Sequence, residues 1–377
     1  MKITTIDTYP VFDRGRNFLF VTVDTDEGVS GLGESGLTGR ELAVEGAIRD
    51  LAPLLIGQDA RRIEHLWQLC SRGGFFPAQG AVAAALSAID IALWDIRGKA
   101  LGVPVFDLLG GLYRERVVCY PHNNESGLEP LLESARRTCA EGWKFVRWGL
   151  PTEGDVLEPG PAIRAAVKQF EALRAALGDE VELCMDVHTR LDPSDSITLL
   201  RAVEPYRPFF MEDPVRAEDL TAMRRVRQQT AVPIAVGEQL HSKWQFRPVI
   251  EEELTDYARV DLCLAGGLTE AKKIAAMAEA HQIRLATHNP LGPVSTAACL
   301  HLNLACPNVG VQEQPRRPGT VLQDVAPVQM AWEDGYLLAP TLPGLGVEFD
   351  RAAARAHPFQ PAPLPRLRRA DGSFTNW

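Results

Sequence analysis

Glu182-Leu183-Cys184-Met185-Asp186, Phe209-Phe210-Met211-Glu212 and Ile234-Ala235-Val236-Gly237-Glu238 are three short apolar runs, each closed by an acid. Runs of this length and composition read as buried strands. The closing acids stand 26 residues apart in both intervals.

The same rhythm extends outward from these runs. Val117–Tyr120, Lys144–Trp148, Arg259–Leu262, Ile283–Ala286 and Val311–Gln312 bring the set to eight strands. Amphipathic patterns at Leu131–Glu141, Ala162–Leu177, Ser196–Val203, Leu220–Gln229 and Thr269–Ala280 predict intervening helices. Strand and helix in alternation define an α/β protein, and eight units predict a (β/α)8-type TIM barrel over residues 116–325. A doubly wound sheet is the alternative.

The first third of the chain follows another pattern. Ile3–Tyr9 and Asn17–Asp24 read as strands around a polar loop at Asp13–Arg16, and GVSGLGES (Gly28 to Ser35) as a Gly-rich turn. Helical patterns follow at Glu41–Leu55, Arg61–Leu69 and Ala81–Lys99. This predicts an α+β unit over residues 1–115, while residues 326–377, rich in Pro and Gly, read as a return segment that packs on the outside.

Composition narrows the function. The 377 residues carry a formal charge of −10, which opposes general nucleic-acid binding, since phosphate neutralisation needs a basic face. The most apolar stretch, Ala81 to Ile96, is broken by Ser87, Asp90 and Asp95, so no membrane span is expected. MKITTIDTYP has neither an apolar h-region nor a cleavage site, so no secretory signal is expected. Seven cysteines, scattered and never spaced as C-x-x-C, fit small core residues in a reducing, cytoplasmic compartment.

A barrel carries its chemistry at the C-terminal ends of the strands. Asp186, Glu212 and Glu238 stand there, and three carboxylates around one point supply the hard oxygen ligands that suit Mg2+. Acids after strands also serve as helix N-caps, but three at successive strand ends favour a metal. His188 shares the side of Asp186 by two-residue alternation. His288 follows the seventh strand and Asp261 ends the sixth, so this carboxylate is a candidate partner that would raise the imidazole pKa and fix its tautomer. Glu313 ends the eighth strand, and His122 follows the first.

These residues carry a resemblance over nearly the whole chain. AIDIALWDIRGKALGVPVFDLLGG (Ala88 to Gly111), DVHTRLDP (Asp186 to Pro193), MEDP (Met211 to Pro214), VGEQLHS (Val236 to Ser242), the run from Ala265 to Leu302 and VQEQ (Val311 to Gln314) resemble the enolase superfamily. Within it, the chain is most similar to the mandelate-racemase-like branch and its D-galactonate dehydratase-type acid-sugar dehydratases. The resemblance implies that the N-terminal unit caps the barrel and is completed by the C-terminal segment.

It also implies roles. A small sugar acid, an aldonate such as galactonate or gluconate, would bind Mg2+ held by Asp186, Glu212 and Glu238. His288, paired with Asp261, would take the C2 proton, and His188 would protonate the departing 3-hydroxyl. Glu313 would hydrogen-bond the substrate carboxylate, with Arg147 and His122 also contacting substrate. The product would be a 2-keto-3-deoxy sugar acid, and a homo-oligomer is expected from relatives. Arg147 stands about where racemases of this branch carry a catalytic lysine; guanidinium stays protonated and is a poor base. A racemase, epimerase or cycloisomerase on the same scaffold, or an inactive sugar-acid-binding paralogue, are the alternative readings.

Overall fold

A computed structural model describes residues 1–376, so Trp377 of the return segment lies outside the described residues. The chain opens with an antiparallel sheet of β1 (Ile3–Asp13), β2 (Arg16–Thr25) and β3 (Ser30–Ser35). Helices α1 (Glu41–Leu55), α2 (Ile63–Arg72), α3 (Ala81–Leu101) and the short α4 (Val105–Leu108) follow. The Gly-rich stretch expected as a turn is therefore a strand from Ser30 onward. Its glycines serve close packing: a Cβ on Gly31 or Gly33 would lie 2.0 or 1.9 Å from the carbonyl oxygen of Ala92 or Ala88 on α3.

The strand–helix alternation runs β4 (Arg116–Tyr120), α5 (Leu128–Ala140), β5 (Phe145–Gly149), α6 (Pro159–Leu177), β6 (Glu182–Asp186), α7 (Pro193–Val203), β7 (Phe210–Glu212) and α8 (Leu220–Arg227). It continues with β8 (Ile234–Val236), α9 (Lys243–Glu251), β9 (Tyr257–Ala258), α10 (Gly267–Ala280), β10 (Arg284–Thr287), α11 (Pro293–Ala305) and β11 (Val309–Glu313). After it come the hairpin β12 (Trp332–Glu333) and β13 (Tyr336–Leu338), then α12 (Arg351–Ala356). The eight strands β4–β11 form one curled sheet, in which β13 adds antiparallel to β4. The two ends approach where the Asn123 N–H donates to the Arg147 carbonyl at 2.8 Å. The α/β barrel architecture thus stands, with seven helices between eight strands. No helix follows β11 directly; Pro315, Pro318 and Pro327 punctuate that segment and supply no N–H for one.

Two barrel strands end earlier than expected. Asp186 pairs in register with Glu212, but Glu212 pairs with Ala235, so Glu238 lies three residues past the strand partner. The chain turns at Gly237 (φ +136°), where a Cβ would sit 2.5 Å from the Phe246 ring. The strand expected at Arg259–Leu262 ends at Ala258, and Asp261 instead forms an isolated bridge to His288.

Buried acids of the N-terminal unit dock onto barrel helices. Asp90 of α3 accepts from the Thr269 N–H at 3.0 Å in the first turn of α10. Glu34 of β3 accepts from the N–H groups of Gly292 (2.7 Å) and Ser295 (2.9 Å) at the start of α11. A helix N-terminus presents unpaired N–H groups and the positive end of its dipole, which suits carboxylates. The return segment closes over the first sheet: Phe349 packs edge-on against Tyr9 with ring centroids 5.2 Å apart, and Arg351 pairs with Asp24 at 2.5 Å. Among the described residues no helix is long and apolar enough to cross a membrane.

Candidate active site

The C-terminal ends of the barrel strands open into a cavity of about 480 Å³ beneath the first sheet. Arg147, Asp186, His188, Glu238, Asp261, His288, His122 and Glu313 all line it. Glu212 is fully buried beside them. Residues at or just past the ends of all eight strands therefore converge on one space, as parallel strands curled into a barrel require.

His188 reaches this space through a kink. His188 (φ 55°) and the following Thr189 (φ 58°) both occupy the left-handed region, which side chains other than glycine seldom adopt. Backbone bonds pin the kink to the next strand: Val187 N–H donates to Glu212 O and Thr189 N–H to Asp213 O, both at 2.9 Å.

On the opposite side, His288 Nδ1 lies 2.8 Å from Asp261 Oδ2, and Nε2 lies 3.5 Å from Glu238 Oε2. Burial disfavours the charged ring, but Glu238, Glu313 and Asp261 outweigh it and raise His288 to about 9. His122 Nε2 is 2.6 Å from Glu313 Oε1, while burial and the Arg147 charge lower its pKa. Burial opposes the charge on Glu313 as well, yet Arg259 and His288 hold its pKa well below the usual range.

Two guanidiniums thread the acids. Arg147 Nη2 is 2.6 Å from Asp186 Oδ2, and its Nε is 3.4 Å from Glu212 Oε2. Arg147 was expected to meet substrate; its charge is engaged by two of the expected metal ligands. Arg259, fully buried, reaches Glu212 at 2.5 Å, Glu313 at 2.7 Å and Glu238 at 3.4 Å, and its Nη1 bonds the Tyr120 hydroxyl at 2.5 Å. Glu313, expected to bind the substrate carboxylate, lines the cavity and is held there by Arg259, His122 and the Asn289 N–H (3.0 Å).

Sequence reading missed Arg259, although a charged residue two positions before Asp261 in an otherwise apolar run was a usable signal. It also passed over Asp213, which is buried with φ 39° directly behind Glu212. His241 lies at the cavity rim, and Trp148 packs against Phe170, away from any chemistry.

The acids outnumber the cations that neutralise them. Burial opposes ionisation of Glu212, but Arg259 and Arg147 hold it at about 2. Glu238 is pushed up to about 8 by burial and by Glu212 and Asp186, against the pull of His288. Asp213 is pushed up well above its usual value by burial, Glu238 and Glu212. Asp186 Oδ1 and Asp213 Oδ2 are buried without a hydrogen-bond partner. As placed, no three His, Cys, Asp or Glu among the described residues form a closed ligand cage. Surplus negative charge and orphaned carboxylate oxygens nonetheless fit one further hard cation at this point.

Comparison with known proteins gives the class. Residues 13–110 match the mandelate racemase / muconate lactonizing enzyme N-terminal domain, and residues 131–353 match the enolase C-terminal domain-like family. The chain belongs to this family of the enolase superfamily. Among curated relatives, a D-mannonate dehydratase of Caulobacter sp. is 41% identical, with 96% of each chain covered. A D-galactonate dehydratase of Ralstonia nicotianae is 40% identical over 100% of both chains. Among solved structures, an enolase from Pantoea ananatis with bound D-gluconate and Mg superposes with a TM-score of 0.94 at 33% identity, covering 100% of this chain and 99% of that one.

Proposed function

We propose that the chain is an Mg2+-dependent dehydratase of a sugar acid, an aldonate such as galactonate or gluconate, giving a 2-keto-3-deoxy sugar acid. The observation that carries this is the placement of two histidines on one cavity: His288, backed by Asp261 at 2.8 Å, and His188, held by a strained kink beside the acids. The names of the Caulobacter and Ralstonia relatives, and the gluconate and Mg of the Pantoea structure, support the same reading.

Asp186, Glu212 and Glu238 would hold Mg2+, which when bound supplies positive charge against the substrate carboxylate and the charge that develops on it. His288 Nε2 takes the C2 proton, since Nδ1 is engaged by Asp261. His188 gives a proton to the 3-hydroxyl, which leaves as water. The C2–C3 double bond so formed carries an enol that ketonises to the 2-keto-3-deoxy acid. Glu313 acts through the groups it holds, orienting His122 at the cavity wall and Arg259 beneath the acids. Incubating the protein with Mg2+ and a set of aldonates tests this: a 2-keto-3-deoxy product from at least one supports it, and none from any overturns it.

A further inference from the structure

The cavity has two ends of opposite sign. Asp186, Glu238, Asp261 and Glu313 surround its inner end. Past His122 and Asn124 lies a chamber of about 220 Å³ lined by Arg16, Arg316 and Arg317, and by no Asp or Glu among the described residues. Arg16 comes from the start of β2, and the other two from the segment after β11. Arg16 and His122 line both chambers, so the two adjoin.

Arg16 is charged, largely buried and under-satisfied. Its Nη2 donates to Thr38 Oγ1 at 2.6 Å, but its Nε is buried without a hydrogen-bond partner. Burial works against its charge, Glu34, Glu313 and Glu41 favour the charge, and Arg316 opposes it. Arg317 is occupied over the Trp332 ring, 5.0 Å from its centroid. Two guanidiniums thus face one chamber with no anion between them, and a buried donor left unpaired is costly.

We infer that the outer chamber is a subsite for a second anionic group of the substrate, the terminal carboxylate of a sugar diacid, received by Arg16 with Arg316 opposite. This rests on the sugar-acid reading above and refines its substrate class. A planar carboxylate matches the guanidinium fork. A phosphate also pairs with guanidinium, but the helix N–H groups that commonly complete a phosphate site, at Gly292 and Ser295, are already taken by Glu34, which favours the carboxylate. The first carboxylate then lies at the inner end and the second at the basic end, with the hydroxylated carbons between.

The test compares matched pairs of monoacid and diacid (galactonate with galactarate, gluconate with glucarate, mannonate with mannarate) and the corresponding aldonate 6-phosphates. Affinity is read by calorimetry with Mg2+ on the full chain carrying His288→Asn, which stops turnover, and kcat/KM is read on the chain with His288 intact. In at least one pair the diacid should bind about tenfold or more tighter, as a charge-assisted hydrogen bond provides. Arg16→Met should erase that gap while changing monoacid affinity less than about twofold, and Arg16→Lys should keep part of it. Equal affinities within every pair, equal weakening of both partners by Arg16→Met, or tighter binding of a 6-phosphate would each overturn the subsite. A diacid preference that depends on Arg16, without loss of water from any substrate, would uphold the subsite and overturn the dehydratase reading. Loss of water from monoacids with no diacid preference would do the reverse.

Discussion

His288 Nδ1 meets Asp261 Oδ2 at 2.8 Å, across an isolated β-bridge that joins the two residues' backbones. The carboxylate fixes which nitrogen carries the proton, so Nε2 faces the acids as the atom able to exchange one. Replacing Asp261 by Asn keeps the shape but can present an N–H to Nδ1, which favours the other tautomer. Asp261→Asn should therefore lower kcat about 10²–10⁴-fold, the range of general acid–base contributions, with KM changed far less. Steady-state kinetics checks this, and wild-type kcat would remove Asp261 from the machinery.

The surplus of acids at the inner end predicts cation-dependent stability. Mg2+ should raise the Tm of the wild type, because a ligand that binds only the folded state stabilises it. Glu238→Gln should fold, lose most of that increase and lose turnover, and EDTA should abolish wild-type activity reversibly. Thermal melts with and without Mg2+ read the binding apart from activity.

Arg147 is bonded to Asp186 and Glu212 and stays protonated, so it offers no second base. Neither the wild type nor Arg147→Lys should epimerise C2 efficiently. Losing the planar fork while keeping the charge should lower kcat/KM by about 10–100-fold, equivalent to about 1.4–3 kcal/mol. Chiral analysis of recovered substrate checks the first point, and efficient epimerisation would favour a racemase.

Asp24 holds Arg351 of α12 at 2.5 Å, and hydrogen bonding from that guanidinium lowers its pKa from 3.8 to about 2. A depressed carboxylate contributes stability above its unfolded pKa and loses it as pH falls through the folded value. Because the pair is partly exposed, its contribution is about 1 kcal/mol or less. Urea unfolding of wild type and Asp24→Asn should show that advantage at pH 6 and a clearly smaller one at pH 3. An advantage that grows on acidification would contradict the pairing.

The repeat of apolar run and closing acid was legible because strands buried on both faces leave little besides their ends for polar residues. Glu182–Asp186 and Glu41–Leu55 fall as the pattern reads them. The strand β3 was hidden because its glycines answer to the backbone of α3, a contact between segments about 60 residues apart. The helix α11 was hidden because it is buried nearly all round and shows no polar face. Which residues gather at the cavity could be read from strand ends. Who pairs with whom could not: Arg147 reaches Asp186 and Glu212 across 39 and 65 positions, and only the closing of the sheet sets those partners.

The division of labour between the histidines is tested most directly by proton NMR of a turned-over sugar acid in D2O with Mg2+. Removal of the C2 proton precedes loss of the 3-hydroxyl, so the two events can be separated. His188→Asn should still exchange the C2 hydrogen for deuterium while failing to eliminate water. His288→Asn should do neither, with losses of about 10²-fold or more in each affected step. Exchange at the wild-type rate in His288→Asn would contradict the assignment of His288 as the base.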